Sequence, residues 1–201
     1  MTLTIRRETS ADYELVEKIT YEAFKNDTLS DGDEALLAHK LRNCECFVPE
    51  LDFVAVADGV LVGNIMYSKA KIVGQNDEEF GILTFGPLSV IPEMQKKGIG
   101  KALVEHSLKV AKDMGFSAVV IFGHPEYYPK LGFEKCAKYK ITTTYGKPDE
   151  GESPDYLMIF VLDKSAVERI NGKVVIDDVY LSLDKVESEA FNKKFQEESR
   201  L

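Results

Sequence analysis

The chain has 201 residues, of which 44% are hydrophobic and 29% charged, with a formal net charge of -9. That length supports one generous domain or two very small ones, and that composition excludes wholesale disorder. No apolar run nears the roughly 20 residues that cross a bilayer, and the acidic balance argues against non-specific nucleic-acid binding while leaving room for a local basic pocket.

Met1 to Glu8 alternates apolar and polar residues and carries Arg6 and Arg7. It lacks the apolar stretch of a signal peptide, so the expected compartment is the cytoplasm. The odd set of cysteines, Cys44, Cys46 and Cys136, then reads as reduced thiols. His39, His106 and His124 are scattered and no C-x-x-C occurs, so no metal site is expected.

Leu3 and Ile5 alternate with Thr4 and Arg6, the pattern of a first strand. Thr9 is placed to cap a following helix with Asp12 as its partner, and Leu15, Val16, Ile19 and Ala23 recur as that helix's buried stripe. Asn26 to Asp33 reads as a polar loop, and Glu34 to Arg42 as a short helix burying Leu37 and Leu41. Phe53–Ala57 and Val60–Val73 form a hairpin about Asp58-Gly59. After a turn at Gly74–Glu79, Phe80–Ile91 is a long strand interrupted at Gly86-Pro87, where proline marks a bulge.

Gly98 to Met114 is the strongest helix, with Ile99, Ala102, Leu103, Val110 and Met114 as its stripe and Gly115 as its terminator. His106 falls within that stripe as a half-buried residue. Ser117–Phe122 is a buried strand, His124–Leu131 a short helix and Phe133–Thr144 a further strand. Tyr145–Asp155 reads as a surface loop and Tyr156–Leu162 as another strand. The remainder carries a helical turn, an Asn171-Gly172 turn, a strand over Lys173–Leu183 and a polar helix from Asp184.

The stretch that carries chemistry is Pro87 to Leu103, in which a strand feeds a glycine-containing loop that opens into an amphipathic helix. The first amides of a helix lack internal partners and favour an anion. Gly98 and Gly100 allow close approach, and Lys96, Lys97 and Lys101 add positive charge, which together suit a pyrophosphate. The Walker pattern fails because Ala102 follows Gly100-Lys101 and Gln95 replaces the first glycine; the dinucleotide pattern fails at Leu103. The plainer reading is a tight turn with solvated lysines.

Gln95-Lys96-Lys97-Gly98-Ile99-Gly100 resembles the Q/R-x-x-G-x-G/A signature of the GNAT superfamily of N-acetyltransferases, and Tyr128-Pro-Lys-Leu-Gly-Phe133 is similar to that family's Y-x-x-x-G-F. The Gly123–Tyr128 run resembles a bacterial subgroup of predicted acetyltransferases. The resemblance spans about residues 3–162 and implies a single domain over 1–201, with 163–201 as a strand–helix extension. The implied fold is α/β: a mixed, mainly antiparallel sheet, helices on both faces and strands that splay at the acetyl-coenzyme A (acetyl-CoA) site.

The implied cosubstrate is acetyl-CoA. Gln95, Lys96, Lys97, Gly98, Ile99, Gly100 and Lys101 would hold its pyrophosphate, and the amides of Leu88, Ser89 and Val90 its pantetheine arm. The resemblance makes Tyr128 the general acid for the departing thiolate, with packing against the cosubstrate as its alternative. Glu79, Glu93, His124 and Glu126 neighbour the motifs as candidate bases, each against the plainer reading of a solvated side chain. Cys136 reads as packing. The implied reaction is direct acetyl transfer to a primary amine, of a small molecule or a protein; the alternative is a non-catalytic acyl-CoA-binding protein. Asp27, Asp31, Asp33 and Glu34 would suit a cationic acceptor. No nucleic-acid or membrane partner is expected, and the extra strand leaves room for a homodimer.

Overall fold

The computed structural model describes residues 1–27, 30–146, 148–149 and 151–198. Among the described residues the strands are β1 Leu3–Arg7, β2 Phe53–Ala57, β3 Val60–Val73, β4 Glu79–Val90, β5 Ala118–Phe122, β6 Glu134–Lys135, β7 Ile141–Thr142, β8 Leu157–Val161 and β9 Gly172–Val175. The helices are α1 Tyr13–Phe24, α2 Glu34–Leu41, α3 Ile99–Asp113, α4 Lys164–Val167 and α5 Lys185–Glu198. The strands hydrogen-bond in the order β1-β2-β3-β4-β5-β8-β6, and β9 pairs with both β3 and β7. The sheet is open and mostly antiparallel; β4 meets β5 in parallel at Leu83–Val119, and β7 meets β9 in parallel. No helix among the described residues is long and apolar enough to cross a membrane.

The chain packs as two compact units, with β3, β4 and α3 running through both. The first comprises Met1–Tyr67, Gly86–Ser107 and Asp178–Leu201. Its apolar core joins Val16 and Ile19 of α1 to Val54 and Leu61. A second cluster joins Ala38 and Leu41 of α2 to Cys46 and Met66. The other unit, Ser68–Phe85 and Leu108–Asp177, is built on Ile72, Ile82, Val120, Cys136, Ile141, Leu157, Ile159 and Val174.

Several expectations are corrected. Thr9 does not cap α1: the helix starts at Tyr13, its N-cap residue is Asp12, and no side chain caps it. The Asp12 carboxylate instead accepts two bonds from Arg6, at 2.7 and 2.8 Å, and two from Thr9. Arg6 holds that carboxyl far below the ordinary range, with burial opposing and Thr9 assisting. Leu15 of the expected α1 stripe is exposed, as is Met114, while Ala23, Ala102 and Val110 are half-buried. Glu17 and Thr20 are buried on α1 instead, and on α3 the buried face runs through Leu103, Val104, Ser107, Leu108 and Ala111.

The single strand expected over Phe133–Thr144 divides. Glu134–Lys135 pairs with β8, Cys136–Tyr139 forms a 3-10 turn ended by left-handed Lys140, and Ile141–Thr142 pairs with β9. Periodicity cannot show this division, because buried residues continue through it, with Cys136 in the turn and Ile141 just after it. The strand expected over Lys173–Leu183 ends at Val175, and a 3-10 turn follows at Asp178–Tyr180. Cys44 and Cys46 are joined as a disulfide rather than reduced; the turn at the end of α2 brings their Cα atoms to 5.2 Å, a spacing the bond accepts. Cys136 is buried as expected, and burial pushes its thiol up.

A network of charged side chains crosses the first unit. Arg42 forks onto Glu8 at 2.9 and 2.7 Å and reaches Glu17 at 3.0 Å, and the three side chains are 5% exposed or less. The Arg42 guanidinium lies over the Tyr13 ring, 4.2 Å from its centroid. Burial alone would raise the Glu17 carboxyl, but Lys194 and His39, both at 2.9 Å, leave it below the ordinary range. Asp52 behaves oppositely: burial, then its hydrogen bond to Glu8, push its carboxyl up to about 9. The Asp52 Oδ1 is buried and has no partner among the described residues.

Because the folded Asp52 carboxyl titrates above its unfolded value, its contribution is fully present at low pH and is lost as pH rises through about 9. Asp52→Asn keeps a donor toward Glu8 and removes the proton. Unfolding free energies measured from pH 6 to about 9 should therefore fall less steeply for Asp52→Asn, by up to about 1.4 kcal/mol per pH unit. Equal slopes would show that Asp52 is already ionised.

Candidate active site

The loop before α3 is built from β4 outward. After Val90, a 3-10 turn at Pro92–Met94 redirects the chain. Gln95 donates to the Val90 carbonyl at 3.1 Å, so its side chain closes that turn. Lys96 is left-handed at φ 59°, and Gly98 follows at φ 86°. That second reversal suits glycine, since L side chains strain there. Gly98 is the last residue before α3, and its carbonyl accepts the first helical bond, from Ala102 at 3.0 Å.

Gly98 thus occupies the N-cap position without a side chain, and a Cβ there would meet no heavy atom within 4 Å. The amides of Ile99, Gly100 and Lys101 have no carbonyl one turn back to bind. Ile99 is buried and anchors the turn, whereas Lys96, Lys97 and Lys101 are exposed. Lys97 rests near the Met94 sulfur at 3.5 Å, and Lys101 lies 3.7 Å from Glu105. The structure therefore brings the whole run 95–101 together at one helix N-terminus with a positive rim.

Leu88, Ser89 and Val90 are the last three residues of β4 before this loop. Ser89 is buried, and its hydroxyl donates to Thr20 of α1 at 3.1 Å; Thr20 in turn donates to Asn64 Oδ1 of β3 at 3.3 Å. Asn64 Nδ2 is buried with no partner among the described residues. Gly63 beside it lets β3 pass close to Ser89, where a Cβ would sit 2.6 Å from the Ser89 carbonyl oxygen. Thr20 and Asn64 escape a reading by element order. Their signal is a polar residue inside an apolar stripe, on α1 and on β3.

Tyr128 lies in the second unit, at the start of a 3-10 turn over Tyr128–Leu131. Gly132 ends that turn at φ 93°, a left-handed position that accounts for the glycine in Y-x-x-x-G-F. The Phe133 amide donates to the Tyr128 carbonyl at 3.2 Å. The Tyr128 ring packs against Phe85 and Phe133, with centroids 5.8 and 5.4 Å away, and against Tyr127 at 5.0 Å. Burial, and secondarily Tyr127, push its phenol well above the ordinary range, so it stays protonated at neutral pH. Tyr127 is exposed at 38%.

The candidate bases are less organised. Glu79 is exposed and paired with Lys71; Glu93, His124 and Glu126 are exposed. His106 is half-buried, edge-on to Phe53 at 4.7 Å. Before α2, Asp31 is exposed, whereas burial raises the carboxyls of Asp33 and of Glu34, the first residue of the helix. Glu34 accepts from Ser30 at 2.7 Å, and Asn192 of α5 donates to the Gly32 carbonyl at 2.8 Å.

An uncapped helix N-terminus after β4 and a Y-x-x-x-G-F turn agree with a family profile, described as the acetyltransferase (GNAT) family, that matches residues 13–133. The chain belongs to the GNAT acetyltransferase family. Among its GNAT relatives, an uncharacterized N-acetyltransferase of Escherichia coli K12, YjhQ, is 36% identical over 118 residues. That match covers 58% of this chain and 65% of YjhQ, just under two thirds of the relative's length. YhbS, another uncharacterized N-acetyltransferase of Escherichia coli K12, is 29% identical over 140 residues, covering 69% of this chain and 78% of YhbS.

The GNAT fold is found again in solved structures. YhbS from Escherichia coli in complex with CoA superposes with a TM-score of 0.76 at 24% identity, over 90% of this chain and 93% of that one. A GNAT family acetyltransferase from Brucella melitensis in complex with acetyl-CoA superposes at 0.70 with 24% identity, over 89% and 98%.

The Thr20 hydroxyl is a link whose removal is measurable. Thr20→Val leaves Ser89 and Asn64 without their buried partner and should cost about 1–3 kcal/mol in denaturant stability. Adding Ser89→Ala should cost less than the sum of the two single changes, because the residues share one chain of bonds. Strict additivity would dissolve the link.

Proposed function

We propose that this chain is an N-acetyltransferase that moves the acetyl group of acetyl-CoA to a primary amine in a ternary complex. The observation that carries this reading is the N-terminus of α3, where Gly98 leaves the amides of Ile99, Gly100 and Lys101 uncapped beside Lys96 and Lys97. A helix N-terminus favours a pyrophosphate through both its amides and its dipole. The CoA and acetyl-CoA complexes of the two superposing proteins support the same ligand.

In this reading the amides of Leu88, Ser89 and Val90 hold the pantetheine arm, and a backbone amide there polarises the thioester carbonyl. The neutral amine attacks the carbonyl carbon, forming a C–N bond and a tetrahedral oxyanion. Collapse breaks the C–S bond, Tyr128 gives its phenolic proton to the thiolate, and the tyrosinate regains a proton from solvent. The attacking nitrogen sheds its own proton to water or a base. A tyrosine phenol carries its proton at neutral pH and is therefore in the form that can donate.

Ligand specificity tests the first half. Acetyl-CoA at about a hundred times its dissociation constant should stabilise the protein by about 2.7 kcal/mol, read as a rise in Tm. ATP and NADH should do much less, and a larger shift with either overturns the assignment. Gly98→Val should weaken acetyl-CoA binding by calorimetry more than Lys97→Ala does in physiological salt, where exposed charges are screened.

Turnover tests the second half. Thiol release from acetyl-CoA, screened against amines, polyamines, amino acids and peptide N-termini, should appear with at least one acceptor. Tyr128→Phe should keep acetyl-CoA affinity and lower turnover on the order of 10²-fold, with Tyr127→Phe far milder. Loss of affinity in step with activity would make Tyr128 a binding residue, and tight binding with no turnover on any amine would favour the non-catalytic alternative.

A further inference from the structure

Gly123 closes β5, and its amide donates to the Tyr156 carbonyl at 2.9 Å. Its backbone lies outside the left-handed region, so conformation does not require glycine there. Sterics do. A Cβ at this position would stand 2.3 Å from Tyr128 Cε2, 2.6 Å from Cδ2 and 3.3 Å from Cζ. The Tyr128 ring occupies the space that any other residue at 123 would fill.

The ring has little room to retreat. Phe85 and Phe133 pack against it, and Tyr127 meets it edge-on. Its backbone is held at both ends, by the bond from the Tyr128 amide to the His124 carbonyl at 3.3 Å and by the Phe133 amide on the Tyr128 carbonyl. Pro129 follows directly and restricts the Tyr128 backbone further. A methyl group at 123 therefore pushes the ring by about an ångström, since ordinary carbon contacts begin near 3.5 Å.

We propose that Gly123 is a positioning residue for catalysis: its missing side chain seats the Tyr128 phenol where it can protonate the departing thiolate. This rests on the acid role assigned to Tyr128 above. Gly123 touches no reacting atom and acts only through the ring. Misplacing a catalytic group by about 1 Å can cost on the order of 10²-fold in rate. The effect belongs in kcat, because the amides assigned to the cosubstrate lie elsewhere in the chain, at residues 88–90 and 99–101.

The test is a cycle of four proteins: the parent, Gly123→Ala, Tyr128→Phe and the double variant, each measured for kcat by thiol release and for acetyl-CoA affinity by calorimetry. Gly123→Ala should lower kcat about 10- to 100-fold while affinity stays within about twofold. In the Tyr128→Phe background the same change should add little, because the group it misplaces has already lost its proton. A purely structural role would instead give additive losses or lower affinity, and either result overturns the proposal. If Gly123→Ala does not fold, Phe85→Leu carries the test from the other side of the ring: it should lower kcat in the parent background and not in the Tyr128→Phe background, and unchanged kcat in both overturns the proposal. Full turnover by Tyr128→Phe would remove the acid role itself. Impaired Tyr128→Phe with unimpaired Gly123→Ala would overturn the positioning role alone.

Discussion

The first unit depends on the burial of one guanidinium. Arg42 leaves α2 and places its fork on Glu8, after β1, and its other nitrogen on Glu17, in α1. A cation this deep is tolerated only when its donors and charge are matched. The two carboxylates supply the match, and the Tyr13 face covers the fork. Lys194 and His39 extend the network from Glu17 to α5 and to the last turn of α2. Asp52, immediately before β2, joins as a neutral acid, because burial and the Glu8 charge both oppose its ionisation. Such a network specifies geometry more than it adds stability, since each charge has left water to enter it.

That geometry is passed on. With α1 held by Glu17, Thr20 one turn later is fixed against Asn64 and Ser89. Ser89 lies in the last residues of β4, and β4 leads through the turn closed by Gln95 into α3. The candidate anion site is therefore supported by side chains far from it in sequence. Its working parts are backbone amides, which cannot rotate away and are less screened than the lysines around them. This also explains how a chain of net charge -9 can offer an anion a favourable place: the field at a helix end is local and falls off within a turn.

The second unit solves a different problem. The acid role proposed for Tyr128 requires a phenol that is held still. The aromatic cluster of Phe85, Phe133 and Tyr127 packs the half-buried Tyr128 ring and limits its movement. Gly132 provides the reversal that brings Phe133 back onto the ring, and Gly123 leaves the ring its place. The two glycines are needed for different reasons, one for backbone conformation and one for volume.

Much of this was legible in the chain because its signals are local. The hairpin at Asp58-Gly59 appears with its expected bounds, since left-handed Asp58 and Gly59 are what a two-residue turn demands. Gly115 ends α3 as a left-handed cap for the same reason. The spacing of Gln95 to Gly100 and of Tyr128 to Phe133 pointed to a family whose profile matches residues 13–133. Local pattern failed where the deciding partner was remote. Arg6 takes Asp12 away from capping, Glu17 and Thr20 are buried because Arg42 and Asn64 meet them, and the region after Phe133 breaks into two short strands because β8 and β9 claim its ends. Periodicity reports which residues are apolar, and glycine and proline report where the chain turns. Which polar residue is buried, and which ring needs the space beside Gly123, depends on what the fold brings opposite them, and that was decided only in three dimensions.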